Sequence, residues 1–129
     1  MALQGNFALI PFGEHIGDSA GDLEMPLVKF VGNQSTLKTF EIAGRPVGHS
    51  YVLMQTYDVD VDSHQIHVNG VQLSGINIPT HHGWHTWMVA LKDDLLKTGP
   101  NSVQIARDTT TTDDFVVGNI VVHWHEFVT

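Results

Sequence analysis

The chain contains no cysteine among its 129 residues. That excludes disulfides, thiolate metal sites and a cysteine nucleophile, and leaves the redox compartment open. Positive charge is scarce: six Lys plus Arg stand against 14 Asp plus Glu, a formal net of −8. Surfaces for nucleic acid or anionic membrane need clustered Lys and Arg, and six scattered ones do not supply them. The acidic balance serves solubility instead. No apolar run approaches the roughly 20 residues that cross a bilayer as a helix. Met1 to Pro11 has no basic region ahead of its short apolar run. It does not read as a secretory signal, and the expectation is synthesis in the cytoplasm, with later incorporation in a particle left open. G-x-S-x-G is missing, and spacing alone assigns no pair of carboxylates to opposed acid and base roles. No catalytic residue is expected.

Hydrophobic residues make up 42% of the chain, which is a folded composition. The length suits one domain, residues 1–129, with a sizeable core. The pattern is one of short strands. Phe7 to Ile10 is a short strand candidate closed by Pro11, and Gly13 to Gly21 reads as a loop. Pro26 to Val31 and Leu37 to Ile42 are strand candidates, and Arg45-Pro46-Val47-Gly48 is a turn. His49 to Val61 is the longest candidate. Tyr51, Leu53, Tyr57, Val59 and Val61 are expected on one face, with Val52 and Met54 on the other, so its first half belongs inside a sheet. Ile66 and Val68, then Val71 and Leu73, flank Asn69-Gly70, the signature of a hairpin with a type I′ turn. Trp87, Val89 and Leu91 form a strand after a loop. Asp93 to Lys97 is expected to make one very short helical turn, stopped by Gly99-Pro100-Asn101, and Val103 and Ile105 open the next strand. Phe115 to Val128 closes the chain as a strand, and both ends are expected to be tied into a sheet or against a neighbour. About eight strands with regular turn signals indicate an all-β antiparallel sandwich or barrel.

Three short runs carry a family resemblance. Val68-Asn69-Gly70 ends a strand, Leu95-Leu96-Lys97 follows the Trp87 strand, and Gly99-Pro100-Asn101 leads into another. In this order they resemble the galactose-binding-like β-sandwich family, which includes discoidin-type domains, carbohydrate-binding modules and the sugar-binding domains of β-galactosidases. The resemblance covers roughly half the chain, from about Tyr51 onward. It implies a jelly-roll sandwich and, as function, a non-catalytic module binding carbohydrate. Related sandwiches often carry a structural calcium, but its ligands map onto no particular residues here. No other cofactor is implied. The fold hosts many unrelated sites, so function must be argued from residues.

Nine histidines are present. His81, His82 and His85 surround Trp84 in what reads as a loop. His123 and His125 share a face of the last strand, opposite Trp124, Val122, Ile120 and Val116. A loop histidine folded over His123 and His125 would make a transition-metal site. The spacing matches neither the H-E-x-x-H helix nor the two-part cupin motif, and hydrogen-bonded surface histidines are the simpler reading. Asp58, Asp60 and Asp62 recur on one face about 6.5–7 Å apart. Calcium needs oxygens within about 2.6 Å, so these three form a solvated acidic edge rather than one ion site. Trp87 and Trp124 alternate with aliphatic residues and belong to the core. Trp84 fits no alternation, so it is either a loop anchor or an exposed platform for a sugar ring. The candidate ligand-binding residues are Trp84, His81, His82, His85 and Asn77, with the loop from Ile76 to Trp84 as one wall. The alternative to a glycan module is a homo-oligomeric structural subunit of a larger assembly such as a virion, phage tail or filament. A histidine-dependent metal protein stands third.

Overall fold

A computed structural model describes residues 2–73 and 77–128. It is an all-β sandwich of ten strands in two sheets. The strands are β1 (Ala2–Ile16), β2 (Lys29–Gly32), β3 (Lys38–Ile42), β4 (Arg45–Pro46), β5 (Tyr51–Val59), β6 (Gln65–Val68), β7 (Val71–Gln72), β8 (His81–Ala90), β9 (Gly99–Ala106) and β10 (Phe115–Val128). One sheet has the order β2-β1-β10-β5-β8, with β4 also on β10, and the other has the order β3-β9-β6-β7. All pairings are antiparallel except that of β1 with β2. No described helix is long and apolar enough to cross a membrane.

Alternation decides which side of the larger sheet is core. Ile10, Ile120, Met54 and Trp87 lie in one register row, and Ala8, Val122, Val52 and Val89 in the next equivalent row. These rows face the inner side of β3, β9 and β6, where Phe40, Ile42, Val103, Ile105, Ile66 and Val68 are buried. Each fully buried aliphatic side chain contributes about 1.5–3 kcal/mol. The opposite side of the large sheet carries the rows Phe7–His123–Tyr51–Ala90 and Leu9–Val121–Leu53–Met88.

The hairpin forms as expected. Asn69 has φ 53° and Gly70 φ 75°, the pair of positive values a type I′ turn demands. Trp124 is buried and stacks on Phe40, with centroids 6.0 Å apart. Trp87 packs against the core from a half-buried position.

Several sequence expectations are corrected. β1 does not stop at Pro11. It runs on to Ile16 through a register shift between Pro11 and Glu14, so Glu14, His15 and Ile16 are strand and not loop. Pro11 has no N–H to donate, and the shift absorbs that loss. Arg45 and Pro46 pair with β10 rather than forming only a turn. Asp93 to Lys97 forms no helix, but a turn closed by one bond from Leu95 N–H to the Lys92 carbonyl, 3.2 Å. β5 changes phase at Asp58 (φ 55°), which turns Val59 into the core instead of leaving it beside Tyr57. β10 shifts register between Val117 and Ile120, so Phe115 and Val117 join the Trp124 core face and Val116 does not. A bulge of this kind inverts every side chain beyond it, and a strict period of two cannot foresee it.

Glu126 closes the core at one end. It is buried, accepts from the Trp124 indole Nε1 at 3.0 Å and from Asn6 Nδ2 at 3.1 Å, and lies against Gly44. The indole bond first, and then Asn6 and the Gly44 backbone, hold its pKa below the usual carboxylate value despite burial. A carboxyl whose folded pKa is depressed stabilises the fold above the unfolded value and loses that contribution as pH falls through the folded one. Thermal melts from pH 6 downward are therefore expected to show a smaller acid loss in Glu126→Gln than in the wild type, starting below about pH 5. Superimposable slopes would show that Glu126 does not contribute.

Candidate functional site

The candidate site lies on the outer side of the large sheet, where β5 pairs with the edge strand β8. The chain from His81 onward is strand, not the expected loop. Its two phases separate at once: Trp84, Thr86 and Met88 point outward, while His85, Trp87 and Val89 point toward the core side. Trp84 therefore does follow an alternation, hidden in the sequence because Gly83 (φ 80°) and Asp58 distort the ladder just before it. The Gly83 N–H donates to Asp58 Oδ1 at 2.7 Å, which pins this bend.

Trp84 is 51% exposed. Its ring packs against Tyr57, centroids 5.3 Å apart and tilted 57°, and reaches across Gly118 of β10. A Cβ on Gly118 would stand 3.1 Å from Trp84 Cζ3, so the glycine makes room for the indole. Gln55, Trp84, His85 and Thr86 line a groove of about 280 Å³. The Gln55 carbonyl oxygen accepts from the Asn119 N–H at 3.4 Å, which leaves its amide NH₂ free to donate into the groove.

The five candidate residues separate. Trp84 faces the groove, and His85 borders it from the next position while its ring points to the core side. His81 stacks on His85 with centroids 4.3 Å apart, behind the groove. His82 is almost fully exposed, with Nδ1 3.9 Å from Asp58 Oδ1. Asn77 is exposed in the segment before β8, and Ile76, the expected start of the wall, lies outside the described residues. Gln55, Thr86, Tyr57 and Gly118 were not singled out from the sequence. A strand beginning at His81 would have paired Tyr57 with Trp84 and Gln55 with Thr86.

The histidine clusters stay apart. His85 pairs with Thr56 and His123 with Tyr51, five residues along β5, which is about 16 Å of strand. His123 stacks on Tyr51 (centroids 4.4 Å) and His125 meets His49 edge-on (5.6 Å).

Two other histidines matter more to the fold. Asp113 and Asp114, at the mouth of β10, each hold one. His64 Nε2 lies 2.7 Å from Asp113 Oδ2, and His15 Nε2 lies 2.6 Å from Asp114 Oδ1. The Asp108 N–H donates to His64 Nδ1 at 2.9 Å, so the ring proton sits on Nε2, facing Asp113. His64 and His15 are only 1% and 2% exposed, too deep to touch a substrate.

Asp22, Asp58, Asp60 and Asp114 line a nearby acidic cavity of about 360 Å³. Among the described residues no three acidic or histidine side chains are placed to share one ion. The neighbouring Asp114, first as an acceptor for the protonated Asp22 carboxyl and also as a like charge, raises the Asp22 pKa together with desolvation. Asp60 is raised as well, by burial and then by the Asp113 and Asp58 charges. Asp60 and Asp62 are exposed, whereas Asp58 is half-buried in the bend.

A family model described as "Family of unknown function (DUF7383)" matches residues 4–126. No curated protein matches the sequence. Solved structures of similar fold include a GH26-CBM35 β-(1,4)-mannanase from Podospora anserina, at 14% identity and TM-score 0.51, covering 93% of this chain and 27% of that one. The chain thus spans about a quarter of the mannanase chain. They also include the CBM36-1 domain of a multidomain xylanase from the hindgut metagenome of Trinervitermes trinervoides, at 11% identity and TM-score 0.56, covering 92% of this chain and 96% of that domain. A third is dimeric latent PorU from Porphyromonas gingivalis, at 9% identity and TM-score 0.56, covering 98% of this chain and 13% of that one. Identities this low show a shared fold.

Proposed function

We propose that this chain, which belongs to the DUF7383 family of unknown function, is a non-catalytic module that binds glycan through the Trp84 groove. The observation that carries this reading is a half-exposed indole held over Gly118 and Tyr57, beside the amide of Gln55 and the hydroxyl of Thr86. An aromatic face stacks on the C–H face of a sugar ring, and amide and hydroxyl groups at its rim fix the ring hydroxyls. The carbohydrate-binding-module names among the structural neighbours support it at the level of fold.

The test is retention on β-1,4-mannan and on xylan in affinity gels. Trp84→Ala is expected to weaken retention about tenfold or more, the effect of removing an aromatic anchor. Being half-exposed, Trp84 is expected to lower the melting temperature by no more than a few degrees when truncated. A stability loss of about 3–5 kcal/mol, as for a core aromatic, would make Trp84 an anchor of the fold and remove the main residue of the site.

A further inference from the structure

We propose that the outer face of the large sheet is an interface between two copies of this chain. Phe7 and Leu9 on β1 and Met88 on β8 are 61%, 58% and 62% exposed, all on that face. Between them, Val121 and His123 of β10 and Tyr51 and Leu53 of β5 are half-buried. The centre of the face is free of formal charge. From Phe7 and Leu9 on β1 across to Trp84–Ala90 on β8, no outward position holds Asp, Glu, Lys or Arg, and Arg45 of β4 stands over Phe127 at the Leu3 end. That is notable in a chain of net charge −8. Strand spacing and rise give this face about 19 Å by 26 Å, a footprint of roughly 500 Å² before side-chain relief. Exposed apolar patches on monomers seldom exceed about 300–600 Å², and a standard interface takes about 800 Å² of accessible surface from each partner.

The occupant is a second copy because the face is self-complementary. Two chains of net −8 repel through their acidic surfaces, and this face presents no carboxylate to oppose approach. A two-fold axis lying between β10 and β5 sets Phe7 of each copy over Ala90 of the other. The same axis brings Leu9 against Met88 and Val121 against Leu53. Sheets pack face to face at about 10 Å with strands nearly aligned, which this arrangement satisfies. The Trp84 groove stays at the rim, on the edge strand β8 and two outward positions beyond Met88.

Sedimentation velocity on the full chain tests this, from about 1 to 100 µM. The wild type is expected to approach twice its 14.2 kDa mass. Phe7→Asp and Met88→Asp, each placing a carboxylate on the face, are expected to weaken the dimer at least about 100-fold with melting temperatures of the monomer little changed. Leu37→Asp, at an exposed site off this face, and Trp84→Ala are expected to stay dimeric. A wild type that is monomeric at 100 µM overturns the proposal, and so does a dimer that survives both face substitutions. The glycan reading is judged separately, since Trp84→Ala that is dimeric yet still retained on polysaccharide defeats that reading alone.

Discussion

Asn101→Ala is expected to destabilise the fold by about 3–4 kcal/mol and to lower its melting temperature by on the order of 10 °C. Asn101 is 2% exposed. Its Nδ2 donates to the Lys97 carbonyl at 2.8 Å and the Gly99 carbonyl at 3.1 Å, while its Oδ1 accepts from the Lys97 N–H at 3.0 Å. Oδ1 also accepts from Asn69 Nδ2 at 2.8 Å. Asn69 in turn donates to the Leu95 carbonyl at 2.9 Å and accepts from the Ser102 N–H at 2.8 Å. Two side chains thus satisfy the backbone of a turn that has no helix to do so. Truncation leaves those groups unpaired at the part-buried base of the turn, and each unpaired buried group costs about 1–3 kcal/mol. Asn101→Asp keeps the shape but replaces two donors with an acceptor beside two carbonyls, so it is expected to be no better than Ala. Chemical denaturation measures both. A loss under 1 kcal/mol for Asn101→Ala would mean that water replaces the network.

That network is why the fold was legible. Val68-Asn69-Gly70 and Gly99-Pro100-Asn101 are conspicuous in the sequence because one asparagine makes the hairpin turn and the other receives it, across 32 residues. The core faces of β6, β9 and the middle of β10 were readable for a simpler reason: unbroken alternation against a buried layer. What failed was wherever the ladder slips. The shifts at Pro11–Glu14, Asp58 and Gly118–Asn119 each move one strand against its neighbour. The groove sits between two of them, so Gln55, Thr86 and the true phase of Trp84 were hidden although Trp84 itself stood out. The buried His15–Asp114 and His64–Asp113 pairs left no local trace either. Their partners are separated by 99 and 49 residues, and a histidine with a distant carboxylate looks like any surface histidine.

The second large effect is expected at the His64–Asp113 pair. Asp113→Ala should cost about 3–5 kcal/mol, the range for removing one member of a buried charged or hydrogen-bonded pair. Asp113 Oδ2 accepts from His64 Nε2–H and also from the Asp60 and Val61 N–H groups at 3.0 and 3.3 Å. One carboxylate therefore fixes both the ring and the chain leaving β5. His64 stacks on Phe115, centroids 4.2 Å apart, so the ring is itself a core side chain. His64→Leu is expected to cost less than Asp113→Ala: it keeps much of the apolar contact, and the carboxylate still has its two backbone donors. The double substitution His64→Leu with Asp113→Ala should fall short of the sum of the single costs by 1 kcal/mol or more, because each single change already breaks the same bond. Additivity within about 0.3 kcal/mol would show that the two groups stabilise the fold independently. In that case Asp113 acts through the Asp60 and Val61 backbone alone, and the histidine is held by stacking.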